Sequence, residues 1–371
     1  MKITKLSFKN KNTGWYIDDI QFSKLTLLVG ASGVGKTQIL RTIMGLQKIS
    51  EGSSMNGWSW TIEFEDQDKK YKWDGEYSCM TDNEESDDFL SNSKPVSFIF
   101  EHIYVNEQLI VDRKDTIILF KGEETPKLDS TKSIISLLKE EDLIQPIFQA
   151  WNHLDIMTLD DNSTRTISFG REYEIIRSTA KDINTIRKAQ ISLIDKLYLL
   201  KKNNISLFNQ IEDSFKEIFP LVEKVDFEII HVSDITFPLL KIKERNVTKW
   251  IKQGYISSGM FRTLLQIIMI SMAEDGDVIL IDEFENSLGI NCIDSVADLV
   301  RFPDNDIQFI ITSHHPYIIN NIDFKNWKIV TRNGSKVSVI SPYELHIGTH
   351  SKHDAFIQLV QTDAYKKGFL L

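Results

Sequence analysis

Four short stretches of this sequence carry side chains suited to phosphate chemistry. The first is Gly30-Ala31-Ser32-Gly33-Val34-Gly35-Lys36-Thr37. It fits G-x-x-x-x-G-K-[ST], where glycines let backbone N–H groups close around phosphates and a helix N-terminus favours the anion. Gly30, Ser32, Gly33, Val34, Gly35, Lys36, Thr37 and the following Gln38 are therefore the candidate nucleotide-binding residues. Lys36 would reach the β- and γ-phosphates, and the Thr37 hydroxyl would bind Mg²⁺. The second stretch, Asp277-Val278-Ile279-Leu280-Ile281-Asp282-Glu283, is an apolar run that delivers two carboxylates at its end. Asp282 would hold Mg²⁺, and Glu283 is placed to act as general base on an attacking water.

The third stretch is Tyr255-Ile256-Ser257-Ser258-Gly259-Met260, about 25 residues before Asp282. It resembles the ABC signature L-S-G-G-Q, with Ile for Leu, Ser for the first Gly and Met for Gln. The resemblance implies that Ser257, aided by Gly259, contacts the γ-phosphate of ATP held by a second subunit. Ser257 also reads as a plain helix N-cap, and the two roles are compatible. The fourth stretch, Ile310-Ile311-Thr312-Ser313-His314-His315-Pro316, lies about 30 residues beyond Asp282. It is similar to the switch-histidine segment of ABC ATPases. The Thr-His-Ser-Pro pattern aligns on Ser313 to Pro316 and gives that role to His314, with His315 as the alternative. Phe284-Glu285-Asn286-Ser287-Leu288 then corresponds to the loop that crosses the dimer interface.

These residues need strands and helices to position them. Residues 3–29 read as three strands, the last being the apolar Leu25–Val29, which runs into the glycine-rich loop. A helix follows, with Ile39, Leu40, Ile43 and Met44 on one stripe, ending near Gly45. Residues 58–120 alternate as strands, and Asp82 to Asp88 reads as a solvated acidic loop. Residues 130–219 look mostly helical. Within them Arg171 to Lys202 holds no proline or glycine, and as one helix would form an arm about 45 Å long. Strand returns at 225–242, helix at 257–272, strands at 278–281 and 309–312, a hairpin around Asn333-Gly334, and a helix near 355–360. The expected class is α/β: an ABC-type P-loop ATPase head with an inserted β region and a helical arm. The expected division is 1–130, 131–220 and 221–371, with the ATP-binding parts at the two ends.

Composition narrows the function. A net charge of −10 over 371 residues argues against indiscriminate binding to DNA or anionic membrane. Two cysteines, Cys79 and Cys292, exclude a disulfide framework and fit a reducing cytoplasm. The first residues carry no signal-peptide core. No apolar run reaches the length of a membrane helix, so no membrane is expected as a partner.

The N-terminal strand pattern and the Glu-Asn-Ser-Leu segment at 285–288 are similar to the RecF/SMC-like branch of ABC ATPases. Within it they look most like the OLD-type ATPases of bacterial anti-phage defence, including the PtuA-like and AriA-like subunits. The resemblance covers roughly residues 1–50 and 250–320. OLD proteins proper add a TOPRIM nuclease domain, which needs a glutamate and a D-x-D pair. About 55 residues follow His314 and hold no D-x-D, so a separate effector protein, a nuclease, is expected. The resemblance implies an ATP hydrolase that dimerises around ATP and Mg²⁺, as a homodimer or a multiple of one, and acts as sensor or scaffold for that effector. The alternatives are a RecF-like DNA-repair ATPase and a scaffold that binds ATP without hydrolysing it.

Three other features invite readings. His346, His350, His353 and Asp354 are close in sequence, but their spacing fits no single structural-zinc pattern, and surface histidines are the plainer reading. Arg171 to Lys202 carries eight basic and four acidic residues. It would suit phosphate contacts along DNA or form a solvated face. Trp15 or Tyr16 could stack on adenine or sit in the core.

Overall fold

The computed structural model describes residues 1–80, 95–157, 170–232, 235–348 and 351–369. The acidic stretch Asp82 to Asp88 and His350 lie outside them. The chain forms two compact units, Met1–Met157 with Gly276–Phe284 and Asp306–Leu371, and Thr158–Asp275 with Glu285–Asn305.

The first unit is built on strands β1 (Lys2–Asn10), β2 (Tyr16–Gln21), β3 (Leu25–Val29), β4 (Trp58–Asp66), β5 (Lys69–Tyr77), β6 (Phe98–Val105), β7 (Gln108–Lys114), β8 (Ile117–Phe120), β9 (Glu123–Glu124) and β10 (Leu154–Met157). Strands β11 (Val222–Val232), β12 (Ile235–Glu244) and β13 (Ile251–Lys252) belong to the second unit. The first unit resumes with β14 (Val278–Ile281), β15 (Gln308–Thr312), β16 (Trp327–Asn333) and β17 (Lys336–Ile340). Among the described residues, its 14 strands form one sheet in the order β10-β14-β15-β3-β16-β17-β2-β1-β4-β5-β6-β7-β8-β9.

Strands β10, β14, β15, β3 and β16 are mutually parallel. Every residue of β14 and β15 is buried, which explains their near-continuous apolar sequence, since a parallel strand is covered on both faces. Their C-terminal ends share one edge of the sheet, the edge where α/β proteins bind ligands. Gln308 ties this half to the N-terminal strand: its side-chain amide accepts from Ile3 N and donates to Ile3 O, both at 2.7 Å.

From β2 onward the sheet is antiparallel, and β4 to β9 form a meander. Its inner face carries aromatic rings in edge contact, Trp60 with Trp73 at 5.1 Å and Trp73 with Trp151 at 5.7 Å. Among them lie two fully buried charges, Glu101 and Arg113, opposite each other on β6 and β7. Glu101 accepts from Trp73 Nε1 at 3.0 Å, Ile134 N at 2.9 Å and Ser133 Oγ. Arg113 donates to the carbonyls of Lys132 at 2.8 Å and Asp129 at 3.0 Å. Burial pushes the Glu101 carboxyl up, while these donors and Arg113 act against it. The pair therefore fixes the connection 129–134 onto the sheet.

Helix α1 (Lys36–Ser50) follows the glycine-rich loop and runs past Gly45, where the sequence suggested it would stop. Gly45 is a packing glycine: a Cβ there would lie 2.2 Å from the Trp58 ring. Strand β10 was not expected within the mainly helical stretch. Its four residues gain their place by pairing with β14.

In the second unit the single arm over 171–202 is replaced by three helices, Arg171–Thr179, Ile183–Lys188 and Leu193–Asn203. The breaks need neither glycine nor proline. Asp182 accepts from Asn184 N at 3.0 Å and Thr185 N at 3.1 Å, and Ser192 accepts from Asp195 N at 3.1 Å. Each thus starts a new helix by capping orphan donors. The helix Ser258–Met272 is buried on nearly all sides. It packs against Leu193–Asn203, Ile205–Ile218 and Ile290–Arg301, so its apolar run is the core of this unit. No described helix is long and apolar enough to cross a membrane.

Replacing Glu101 by Ala should leave Arg113 buried beside orphaned donors. The expected cost is about 3 kcal/mol or more, read as a lower urea midpoint at unchanged slope. A change under about 0.5 kcal/mol would mean the pair is dispensable.

Candidate nucleotide-binding site

The loop between β3 and α1 depends on three glycines with positive φ: Gly30 at 148°, Gly33 at 79° and Gly35 at 104°. Two also face close neighbours. A Cβ on Gly30 would lie 2.5 Å from the Val330 carbonyl oxygen, and one on Gly35 would lie 2.8 Å from Val337. The β16–β17 hairpin thus packs directly on the loop and sets its shape. Val34 is buried. Lys36 Nζ donates to the carbonyls of Gly30 and Ala31, both at 2.8 Å, which holds the ammonium over the loop.

The loop borders a cleft of about 270 Å³ lined by Trp15, Ser32, Gly33, Gly35, Lys36, Thr37, Gln38, Arg41, Glu283, Thr312, His314 and Arg332. Most of the residues chosen from sequence therefore meet there. Gly30, Val34 and Asp282 do not line the cleft; Gly30 and Val34 shape the loop from behind, and Asp282 is buried against Thr37 and Thr312, which do line it.

Asp282, 3% exposed, follows β14. Its Oδ1 accepts from Thr37 Oγ1 at 3.1 Å and Thr312 Oγ1 at 2.7 Å. The Thr312 oxygen also accepts from Glu283 N at 2.7 Å, and the Thr312 carbonyl accepts from Phe284 N at 2.9 Å. Glu283 has φ 43°, a left-handed conformation that costs a non-glycine residue about 1–2 kcal/mol. The two bonds from Thr312 hold it there and aim its side chain to the cleft. Oxygen donors from Thr37 and Asp282 are the type Mg²⁺ prefers, so the site fits that ion chemically.

The two histidines separate. His314 lines the cleft. His315 instead starts the helix Pro316–Asn321, its Nδ1 accepting from Tyr317 N at 3.3 Å. Trp15 and Tyr16 separate likewise: Trp15 lines the cleft, while the Tyr16 hydroxyl donates to Asp18 at 3.1 Å.

Thr312, Arg41 and Arg332 were not singled out from sequence. Thr312 had a signal, a polar residue closing an otherwise apolar strand one step before Ser313. Arg41 stands at i+4 from Thr37, on the same helix face. Arg332 was hidden because only the pairing of β16 beside β3 brings the hairpin to the loop.

Ser257 and Gly259 belong to the second unit. Ser257 is exposed and its Oγ accepts from Met260 N at 3.3 Å, capping the helix Ser258–Met272. A Cβ on Gly259 would lie 2.7 Å from the Ser287 carbonyl oxygen, so this glycine lets the helix start approach the 285–288 segment. Tyr255 beside it is 85% exposed. Among the described residues no group of three or more His, Cys, Asp or Glu side chains could hold a metal ion; His350, one of the three histidines near 346–354, lies outside them.

Thr312→Val keeps the shape and removes the hydroxyl between Asp282 and the Glu283 amide. Hydrogen bonds to charged groups are worth about 1.5–3 kcal/mol, so nucleotide turnover should fall roughly ten- to a hundredfold with KM changed much less. Unchanged kcat in a steady-state phosphate-release assay would show that the hydroxyl does not position the carboxylates.

No curated protein sequence matches the chain. Among solved structures it is similar to the SMC head bound to the C-winged helix domain of ScpA (TM-score 0.49, 15% identity, covering 92% of this chain and 97% of that one). It is also similar to the SMC head domain from Thermotoga maritima (TM-score 0.44, 13% identity, covering 92% and 99%). The family model described as "AAA domain, putative AbiEii toxin, Type IV TA system" matches residues 25–320. That match spans well over half of the 371 residues, and the chain belongs to this AAA_21 family of P-loop ATPase domains.

Proposed function

We propose that this protein hydrolyses ATP between two copies of itself and that the cycle controls a separate effector protein, a nuclease, in anti-phage defence. The observation that carries the reading is the chain of bonds Thr37–Asp282–Thr312–Glu283, in which Thr37, Thr312 and Glu283 line one cleft with Lys36 and the buried Asp282 joins them. The loop amides and Lys36 bind the phosphates. Mg²⁺, held through Thr37 and Asp282, neutralises phosphate charge when bound. Glu283 takes the proton of the attacking water, and His314 contacts the γ-phosphate. Ser257 and Gly259 of a second copy close the site from the other side. The exposure of Ser257 and Tyr255 at a helix N-terminus supports this, because such an end attracts phosphate. The family model's description, "AAA domain, putative AbiEii toxin, Type IV TA system", is compatible with a role in defence.

The DNA-repair reading is less well supported. Several of the basic side chains that were to follow DNA are engaged within the chain. Arg177 pairs with the buried Asp195 at 3.0 Å, Lys201 with Asp226 at 2.6 Å, and Arg187 with Glu274.

Tagged Glu283→Gln, purified from its own host with Mg-ATP, provides the test. Loss of the base should lower turnover about a hundredfold or more while ATP stays bound. Native mass spectrometry should then show a dimer, or a multiple of it, with a second protein attached. Turnover equal to wild type would remove Glu283 as base. An ATP-bound monomer would remove the shared site, and with it the roles of Ser257 and His314.

A further inference from the structure

We infer that Arg332, seated on the ring of Trp15, is a binding residue for the phosphate chain of the nucleotide, with Trp15 as its positioning residue. The inference rests on nucleotide binding at the Gly30–Thr37 loop and adds a contact outside that motif. Strand β16 runs parallel to β3 with Ile329 opposite Val29, so residues 330–332 continue alongside the loop that starts at Gly30. The Val330 carbonyl lies against Gly30, and Arg332 N donates to the Gly368 carbonyl at 2.6 Å. The backbone that carries Arg332 is therefore pinned on two sides.

The side chain is placed as firmly. Its Nε donates to Gly334 O at 2.6 Å and its Nη1 to Gly33 O at 3.2 Å. Its guanidinium carbon stands 4.5 Å from the centre of the Trp15 ring. Trp15 packs in turn on the loop: a Cβ on Gly35 would lie 3.3 Å from its ring. Stacking on an aromatic face orients a guanidinium and leaves other N–H donors for a ligand.

Charge supplies the second argument. Arg113, Arg177, Arg187 and Arg301 each have a carboxylate partner. Among the described residues neither Arg332 nor Arg41 has one, and both line the same cleft as Lys36. In a chain of net charge −10, arginines left without carboxylates at a phosphate loop suit an anion. A guanidinium binds phosphate oxygens two at a time, which an ammonium cannot do.

The test compares ATP with inorganic tripolyphosphate, which has the phosphates and no base, by calorimetric titration of wild type, Arg332→Ala, Arg332→Gln, Trp15→Ala and the Trp15/Arg332 double alanine variant. Arg332→Ala and Arg332→Gln should each weaken both ligands by the same factor, about tenfold. Trp15→Ala should weaken tripolyphosphate in the wild-type background and have no further effect once Arg332 is gone. Tripolyphosphate affinity unchanged in both Arg332 variants would overturn the inference, whether or not ATP affinity falls, since an ATP-only loss means contact with the nucleoside. Additive losses would overturn the positioning role of Trp15. Lys36→Ala separates the two levels. If it binds tripolyphosphate as wild type does, the reading of the loop itself fails, independently of Arg332.

Discussion

One carboxylate oxygen organises the site. Asp282 Oδ1 accepts hydroxyls from Thr37 at the start of α1 and from Thr312 at the end of β15, while its own residue follows β14. A carboxylate this buried needs such donors, because an unpaired buried charge is far costlier than the bonds that satisfy it. Meeting that need joins three elements at the edge where their strands end. The loop, the base candidate Glu283 and His314 are all within a few residues of one of these attachment points. The positions of the polar groups thus follow from one burial requirement and the parallel pairing that brings the strand ends together.

The second constraint is steric and comes from the hairpin. Gly30 and Gly35 are glycines twice over, by their positive φ and by the atoms of Val330 and Val337 that any side chain would meet. The loop is thereby held between the sheet edge and the hairpin. A loop confined in this way loses little further freedom when a ligand arrives. The same contact explains why a distant residue, Arg332, reaches the apex of the loop at Gly33.

What the sequence made legible follows the range of the interactions involved. The glycine-rich loop, the buried strands β14 and β15, the Asn333-Gly334 hairpin and the helix after Ser257 are set by local pattern, and each is found where the pattern put it. The failures have non-local or side-chain causes. Helix α1 continues through Gly45 because Trp58, on another strand, fills the space beside it. Strand β10 exists because β14 is there to pair with. The segment 171–202 breaks where Asp182 and Ser192 bond their own backbone, an option that competes with helix wherever Asp or Ser occurs and leaves no glycine or proline to mark it. Among site residues, those inside a motif were visible and those brought in by sheet order were not. His314 and His315 differ in a way adjacency in sequence does not show, since one lines the cleft and the other caps the next helix.

The strained backbone at Glu283 bears on mechanism. Its left-handed φ is maintained by two bonds to one residue, Glu283 N to the Thr312 hydroxyl and Phe284 N to the Thr312 carbonyl. That same hydroxyl donates to Asp282. It has one proton to give, so the acceptor it chooses and the amide it receives are linked. A shift of Asp282 that draws the Thr312 hydroxyl away also loosens the amide of Glu283 and lets the strain relax. Asp282 and Glu283 are therefore coupled through the single side chain of Thr312. Strain stored this way is characteristic of sites whose geometry must be fixed before the reaction begins. It also gives the strand that ends beside His314 a direct mechanical hold on both carboxylates, so a displacement of β15 would reach His314, Asp282 and Glu283 together.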